Sequence, residues 1–284
     1  MDRIKELRDK MIRDLSTIYP ENESINLANW LFSSIAGIEK KDFSLDPGRY
    51  IEPGIIAELK IKHGELMLHK PIQYITGTAY FHDLVLKVDP SVLIPRPETE
   101  ELVKWVANDF KNVSGLKILD IGTGSGCIVL ALGRLLSDPV LTAIDISQSA
   151  LGMASLNAET CSIKVEFIQK DILDEKGWSD MENFDLILSN PPYVREFEKS
   201  RMQANVLDYE PHLALFVPDQ DPLLFYRAIA KVAQLKLAPS GKLYLEINES
   251  LGREIILLLQ EEGFTDIMLK KDMQGKDRMI RAGF

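Results

Sequence analysis

The sequence predicts an α/β fold, a mostly parallel sheet covered by helices on both faces, preceded by a small helical bundle. Three observations predict it. From Lys117 onward, apolar runs of strand length alternate with longer runs of helical period, the pattern that builds parallel sheets. A glycine-rich turn, Gly122-Thr123-Gly124-Ser125-Gly126, joins the first of those strands to the helix after it. The N-terminal part carries only the helical period.

Taken in order, Ile4, Leu7, Met11, Leu15 and Ile18 mark the apolar face of a first helix. Ile25, Ala28, Leu31, Phe32 and Ile35 mark a second, which Gly37 ends. Pro53 opens a third, with Ile55, Ile56, Leu59, Leu66 and Met67 on its apolar side, and Lys70-Pro71 closes it. These helices are expected to form a domain over 1–76, either a packing cap or a docking arm for a protein substrate. Tyr80-Phe81-His82 and Leu84 to Val88 alternate like paired strands around a His82-Asp83 turn, a β-hairpin linker within 77–95. The remaining 96–284 is the α/β domain. It opens with Arg96-Pro97-Glu98-Thr99-Glu100, in which the prolines stiffen the lead-in to a helix and Thr99 is expected to cap it. Arg96, Glu98 and Glu100 are expected to wall a pocket. Strands follow at 117–120, 140–145, 165–168, 184–189, 242–247, 265–269 and 278–282, with helices at 101–110, 127–136, 147–157, 223–237 and 251–262. The short link containing Gly275 makes the last two strands an antiparallel pair.

Composition narrows the function. The 284 residues are 45% hydrophobic and 27% charged, enough for one large and one small core. The net charge of −10 repels phosphate backbones and disfavours a broad nucleic-acid footprint. No apolar run has the length of a membrane span, and the charged N-terminus is no secretory signal, so a cytoplasmic location is expected. Cys127 and Cys161 lack paired spacing, which suits free thiols, and four scattered histidines suggest no metal site.

The glycine turn marks a ligand site, because Gly122, Gly124 and Gly126 let the backbone approach a bound group closely. The same arrangement serves dinucleotides, and the acids around it decide between the two. Asp120 precedes the turn, where it would repel a pyrophosphate and attract a cationic amino-acid group such as that of S-adenosylmethionine. Asp145, with Ile146 beside it, ends the next strand, where an acid accepts both ribose hydroxyls. Asp171 follows the third strand, placed to accept from an adenine amino group with Ile172 packed on the ring. Any one of these acids is equally read as a solvated strand end, but three at successive strand ends beside the glycines are not.

The fourth strand ends in Ser189-Asn190-Pro191-Pro192-Tyr193. Two prolines cannot continue a sheet ladder, so the chain turns rigidly over the C-terminal edge of the sheet, where open α/β folds bind ligands. A bare Asn-Pro-Pro is also compatible with a plain rigid turn. In this position it suits methyl transfer to a planar nitrogen, whose lone pair is delocalised until the group is held. The Asn190 side-chain oxygen and the Pro191 carbonyl can accept its two N–H bonds, and Tyr193 can stack on its face.

With these residues assembled, the chain resembles the class I S-adenosylmethionine-dependent methyltransferases, and more narrowly the bacterial release-factor glutamine methyltransferases of the PrmC/HemK family. The resemblance rests on Pro71 to Gly77, Ile94 to Glu100, Asp120 to Gly126, Asn190 to Tyr193, Tyr209-Glu210-Pro211, and Asp272 with Gly275 and Arg278. One departure is Asp219-Gln220-Asp221-Pro222-Leu223, where the family has a Gly-rich Asp-Gly-Leu. The resemblance implies a Rossmann-like seven-stranded sheet, with the helical bundle joined to it by the hairpin. It implies that S-adenosyl-L-methionine is converted to S-adenosyl-L-homocysteine, at a site with Thr123, Ser125 and Asn190 among the cofactor-binding residues. The methyl acceptor would be the glutamine of the Gly-Gly-Gln motif in class I peptide-chain release factors, methylated at N5 by direct in-line displacement. Asn190, Pro191, Pro192 and Tyr193 would hold the amide, the helical domain would touch the release factor elsewhere, and the enzyme would act as a monomer. Two other classes remain in view: an adenine-N6 or cytosine-N4 methyltransferase acting on a flipped base, and a cofactor-binding module without catalysis.

Overall fold

The computed structural model describes residues 3–174 and 177–284. The chain separates into two compact units, one running to Thr78 and including Gln203–Tyr209, the other Ala79–Met202 with Glu210–Phe284.

In the first unit, α1 (Ile4–Leu15), α2 (Glu21–Ala36), α3 (Asp42–Leu45), α4 (Pro53–Met67) and α5 (Ile72–Thr76) enclose a core of their own. Ile4, Leu7, Met11 and Leu15 recur at helical spacing, so one face of α1 is buried against Leu31, Phe32 and Leu59. Gly37 and Gly77 end α2 and α5 with φ of 60° and 69°, a left-handed stop open to glycine at little cost. The Tyr209 hydroxyl donates to the Leu68 carbonyl at 2.7 Å, which ties the 203–209 stretch to this unit.

The second unit opens with a hairpin, β1 (Thr78–Phe81) and β2 (Leu84–Lys87), whose turn places His82 at φ 51°. Its Phe81, Leu84 and Leu86 are buried in the core of the α/β unit. Then come α6 (Pro97–Phe110), β3 (Lys117–Ile121), α7 (Cys127–Leu135), β4 (Val140–Asp145), α8 (Gln148–Cys161), β5 (Glu166–Gln169) and β6 (Phe184–Ser189). A short parallel pair, β7 (Val194–Arg195) with β8 (Phe216–Val217), brackets a 3-10 turn at Glu196–Arg201, α9 (Ala204–Leu207) and α10 (His212–Leu215). The last elements are α11 (Leu224–Lys236), β9 (Leu237–Glu246), α12 (Gly252–Glu261), β10 (Asp266–Lys271) and β11 (Asp277–Gly283).

Seven strands form one sheet in the order β10-β11-β9-β6-β3-β4-β5, parallel except for β11, which runs antiparallel to both its neighbours. Alternate residues face opposite layers, as the pleat requires. Ile118, Leu186, Leu188 and Tyr244 pack with α6 and α7, whereas Leu119, Ile121, Ile187, Leu243 and Leu245 pack with α11 and α12. The strands are therefore nearly continuous apolar runs, the signature of a sheet covered on both sides.

Register fixes what meets at the C-terminal edge. Ile121 of β3 stands opposite Ile144 of β4 and Ser189 of β6, Asp145 opposite Gln169, and Ser189 opposite Leu245 of β9. The glycine turn, Asp145, Asn190 and Glu246 thus leave neighbouring strands side by side. Because β4 and β6 flank β3 on opposite sides, the chain reverses its winding there, and a crevice opens at such a point.

Two sequence expectations need correction. Thr99 does not cap α6, which starts at Pro97 with no side-chain cap; Thr99 is buried and its hydroxyl is used elsewhere. Strand β9 begins at Leu237 instead of 242, because a register shift between Phe184 and Leu186 absorbs the Pro239-Ser240-Gly241 interruption that hides the pairing from a pattern reading. The small elements between 194 and 217 carry no periodicity long enough to read.

Candidate active site

A cavity of about 350 Å³ lies within the α/β unit at this edge, in the size range of small-molecule sites. Gly122 and Gly124 line it, with Asp145 and Ile146 from the end of β4, Asp171 and Ile172 after β5, and Asn190, Pro191 and Pro192 after β6. The sheet edge brings together most of the residues singled out in the sequence. Asp120, Thr123, Ser125, Gly126 and Tyr193 are not in the cavity wall.

Asp120 is fully buried behind the turn. Its Oδ2 accepts from the Thr123 hydroxyl at 2.7 Å, while its Oδ1 has no hydrogen-bond partner among the described residues. Burial pushes its pKa up to about 7, against the Thr123 bond that pulls it down. The Ser125 hydroxyl beside it is likewise buried and unpartnered. A buried acid with an unsatisfied oxygen suits a cationic group more than a phosphate. Gly122, Gly124 and Gly126 have φ of 72°, 55° and 82°. A Cβ on Gly126 would stand 3.2 Å from Leu130 Cδ1 and 3.3 Å from Ala154 Cβ, so helix α7 leaves the turn with no room for a side chain there.

Asp145 serves the turn as well as the cavity. Its Oδ2 accepts from the Gly124 N–H and its Oδ1 from the Ser147 N–H, both at 2.9 Å, and burial still holds its pKa above the ordinary value. Each oxygen keeps a second lone pair for a ligand hydroxyl. Asp171 Oδ1 accepts from the Leu173 N–H at 2.9 Å, which fixes the loop after β5.

Asn190 is anchored at its side chain. Its Nδ2 donates to the Thr99 hydroxyl oxygen at 3.2 Å, and Thr99 donates to Glu246 Oε2 at 2.6 Å. The Tyr193 hydroxyl donates to Glu246 Oε1 at 3.0 Å. Glu246, at the end of β9, is buried and escaped the sequence reading, although an acid ending a strand is the same signal that marks Asp145. Burial raises its pKa, and the Thr99 and Tyr193 bonds and Arg278 oppose that rise. Burial next to Glu246 keeps the Tyr193 phenol well above its ordinary value, so it remains a donor.

The Arg-Pro-Glu-Thr-Glu segment does not wall the cavity. Arg96 donates to the buried Glu210 at 2.6 Å, and Glu210 also accepts the Ile94 N–H at 3.2 Å, which pins the lead-in to α6. Glu100 accepts the His82 N–H at 3.0 Å and so holds the hairpin turn. Arg278 donates to Asp272 at 3.1 Å, and Asp272 closes the β10–β11 turn by accepting the Gln274 and Lys276 N–H groups at 2.9 and 3.0 Å.

Known proteins resemble this chain in sequence and in fold. Residues 99–208 match the family described as "Methyltransferase small domain". A "Release factor glutamine methyltransferase" of Flavobacterium psychrophilum is 42% identical over 99% of both chains. One of Bacteroides thetaiotaomicron is 42% identical over 95% of this chain and 96% of its own. Among solved structures, the hMettl16 catalytic domain, crystallised with the MAT2A 3′UTR hairpin 6, superposes with a TM-score of 0.56 at 16% identity, covering 89% of this chain and 92% of that one. That likeness is one of fold.

Proposed function

The chain belongs to the release factor glutamine methyltransferases, and from that premise we propose that it methylates the side-chain amide nitrogen (N5) of the Gly-Gly-Gln glutamine in class I peptide-chain release factors, with S-adenosyl-L-methionine as donor. One observation carries the reading: Asn190 lines the cavity with its amide nitrogen tied to Thr99, which leaves the amide oxygen as the branch available to a substrate N–H.

S-adenosyl-L-methionine supplies an electrophilic methyl group on a sulfonium and leaves as S-adenosyl-L-homocysteine. The chain's own residues do the rest. Gly122 and Gly124 bring backbone close to the donor, Asp120 sets a negative charge behind the turn for its amino-acid end, Asp145 accepts from ribose hydroxyls, and Asp171 with Ile172 takes the adenine. Asn190 Oδ1 and the Pro191 carbonyl accept the two N–H bonds of the glutamine amide. Both bonds would orient the nitrogen lone pair toward a bound donor's methyl group, which is catalysis by orientation and fixed dipoles; as the C–N bond forms the S–CH3 bond breaks, and one N–H proton of the amide leaves to water. Pro192 walls the flat face of the amide, and Tyr193 braces the loop from behind through Glu246. The helical unit supplies release-factor recognition that a lone amide is too small to give.

The base-methylating alternative is not favoured, since the full-length relatives are named for a release-factor glutamine and the −10 charge opposes a phosphate backbone. We assign the protein no stable nucleic-acid partner, a monomeric state and a cytoplasmic location; no helix among the described residues is long and apolar enough to cross a membrane. The test is methyl transfer from labelled donor to a purified release factor, to the same factor with its Gly-Gly-Gln glutamine changed to alanine, and to DNA. Label confined to the intact factor and mapped to that glutamine supports the reading. Label on DNA, or on both factors equally, overturns it.

A further inference from the structure

We propose that Glu246 is a positioning residue that sets the donor–acceptor polarity of the Asn190 carboxamide through Thr99. The proposal rests on the reading of Asn190 given above.

An ionised carboxylate only accepts, and a hydroxyl has one hydrogen to give. Glu246 takes that hydrogen from Thr99 at 2.6 Å, so the Thr99 oxygen meets Asn190 only as an acceptor. The Asn190 atom 3.2 Å away must then be its NH2 group, and the carbonyl oxygen is the branch left for substrate. An asparagine amide turned over would present N–H to a substrate N–H, two donors facing each other, and the orienting bond would be lost. Two aspects of the geometry favour a built relay. Thr99 and Glu246 are both buried, so water does not compete for either bond. The second Glu246 oxygen takes the Tyr193 hydroxyl at 3.0 Å, which fixes the other end of the Asn-Pro-Pro-Tyr turn from the same carboxylate. Neither Thr99 nor Glu246 lines the cavity.

Glu246→Gln keeps the shape and adds a donor, so at least one of the two hydroxyls must reverse or lose its bond. Thr99→Val keeps the volume and removes the relay; Thr99→Ser keeps the hydroxyl. With release factor as substrate and saturating donor, E246Q and T99V are expected to lower kcat about tenfold or more, a loss that falls on the transition state. Donor Kd, read by calorimetry, should stay within about twofold, because neither side chain touches the cavity. T99S should retain about tenfold more kcat than T99V. Glu246→Gln added to Asn190→Ala should cost under about twofold, because the amide it orients is gone.

Protonation of Glu246 gives the carboxyl a donor as well. The groups facing it are Thr99 and Glu98 from α6, Tyr193, Arg278 from β11, Tyr226 from α11 and Cys127 from α7. Its pKa lies above the ordinary carboxylate value, so kcat should fall as pH drops through that raised value, and E246Q should lack this limb.

If E246Q and T99V keep wild-type kcat while N190A loses it, Glu246 has no positioning role. The same holds if E246Q costs as much in the N190A background as alone. If N190A itself keeps wild-type kcat, the reading of Asn190 fails and this inference fails with it. Should E246Q not fold, the T99V and T99S pair decides alone.

Discussion

The turns after β3 and β6 are neighbours in the sheet and opposites in build. Ile121 and Ser189 face each other across the ladder, and the Ser189 hydroxyl donates to the Ile121 carbonyl at 2.8 Å. Beyond that rung, one chain enters three glycines at positive φ and the other two prolines. The glycine turn obtains its shape from missing side chains, and it is held by the neighbouring strand: the Gly124 N–H donates to an outside acid, Asp145, and the Gly122 and Thr123 N–H groups donate to the Ile144 carbonyl. The proline turn obtains its shape from restricted φ and missing donors, and its side chains are held by an outside acid, Glu246. A freely rotating backbone needs a neighbouring strand to define it; a stiff backbone needs one only to orient what it carries. On the proposed reading, the first turn serves a ligand that the protein binds, the second a group that it must activate.

The comparison is sharpened most by Asn190→Ala. It is expected to lower kcat by about 10²–10³-fold and to weaken donor affinity by much less, under about tenfold, since the orienting acceptor is lost while the glycine turn and most of the cavity wall are untouched. A parallel loss of donor binding in calorimetry would merge the two turns into one functional element.

Asp120 gives the next effect, read by pH. Its folded value, raised to about 7 from 3.8, means that the protonated acid stabilises the ligand-free fold at low pH. That contribution is lost as pH rises through about 7, at up to ~1.4 kcal/mol per pH unit. Binding of a cationic donor runs the other way, since it favours the carboxylate: donor affinity should tighten by up to about tenfold per pH unit on approach to pH 7 and then level off. Asp120→Asn should flatten both slopes, measured by thermal unfolding and calorimetry across that range.

Gly126→Ala should cost about 1–2 kcal/mol of stability, because alanine at φ 82° is strained and its Cβ crowds Leu130 and Ala154. Denaturant unfolding reads it directly, and an unchanged midpoint would mean that the turn tolerates side chains as the proline turn does. Asp145→Asn is expected to have an effect of similar size on binding alone, about tenfold in donor Kd, or ~1.4 kcal/mol, with kcat at saturation little changed.

How much of this was legible in the sequence follows from the same two turns. Gly122, Asp145 and Asn190 were readable because each ends a strand, and a strand end in an α/β sheet is a place as well as a pattern. Asp120 was readable as an acid near the turn, but its position behind the turn depends on which face of β3 it takes. Thr99 looked like a helix cap because only its neighbours in the chain were visible; its partners come from β9 and the β6 loop. Glu246 carried the right local signal and no local partner. Arg96, Glu98 and Glu100 stood out as charged residues in a stiff segment, yet the partner that explains Arg96, Glu210, lies 114 positions away. Local chemistry announces which residues matter, and only register and tertiary packing decide which of them face the ligand.

The relay from Glu246 through Thr99 to Asn190 has a consequence in time. Its two links join residues 147 and 91 positions apart, and β6 lies between β3 and β9, so its second edge is filled only once β9 is in place. Contacts of that span close late, because the entropy of long loops opposes them until most of the sheet exists. As the chain leaves the ribosome, its proline turn emerges well before Glu246 has been synthesised. On the proposed reading, a nascent or partly folded chain therefore carries the motif as a stiff turn whose Asn190 amide is not yet oriented, and that orientation comes only with the nearly finished fold.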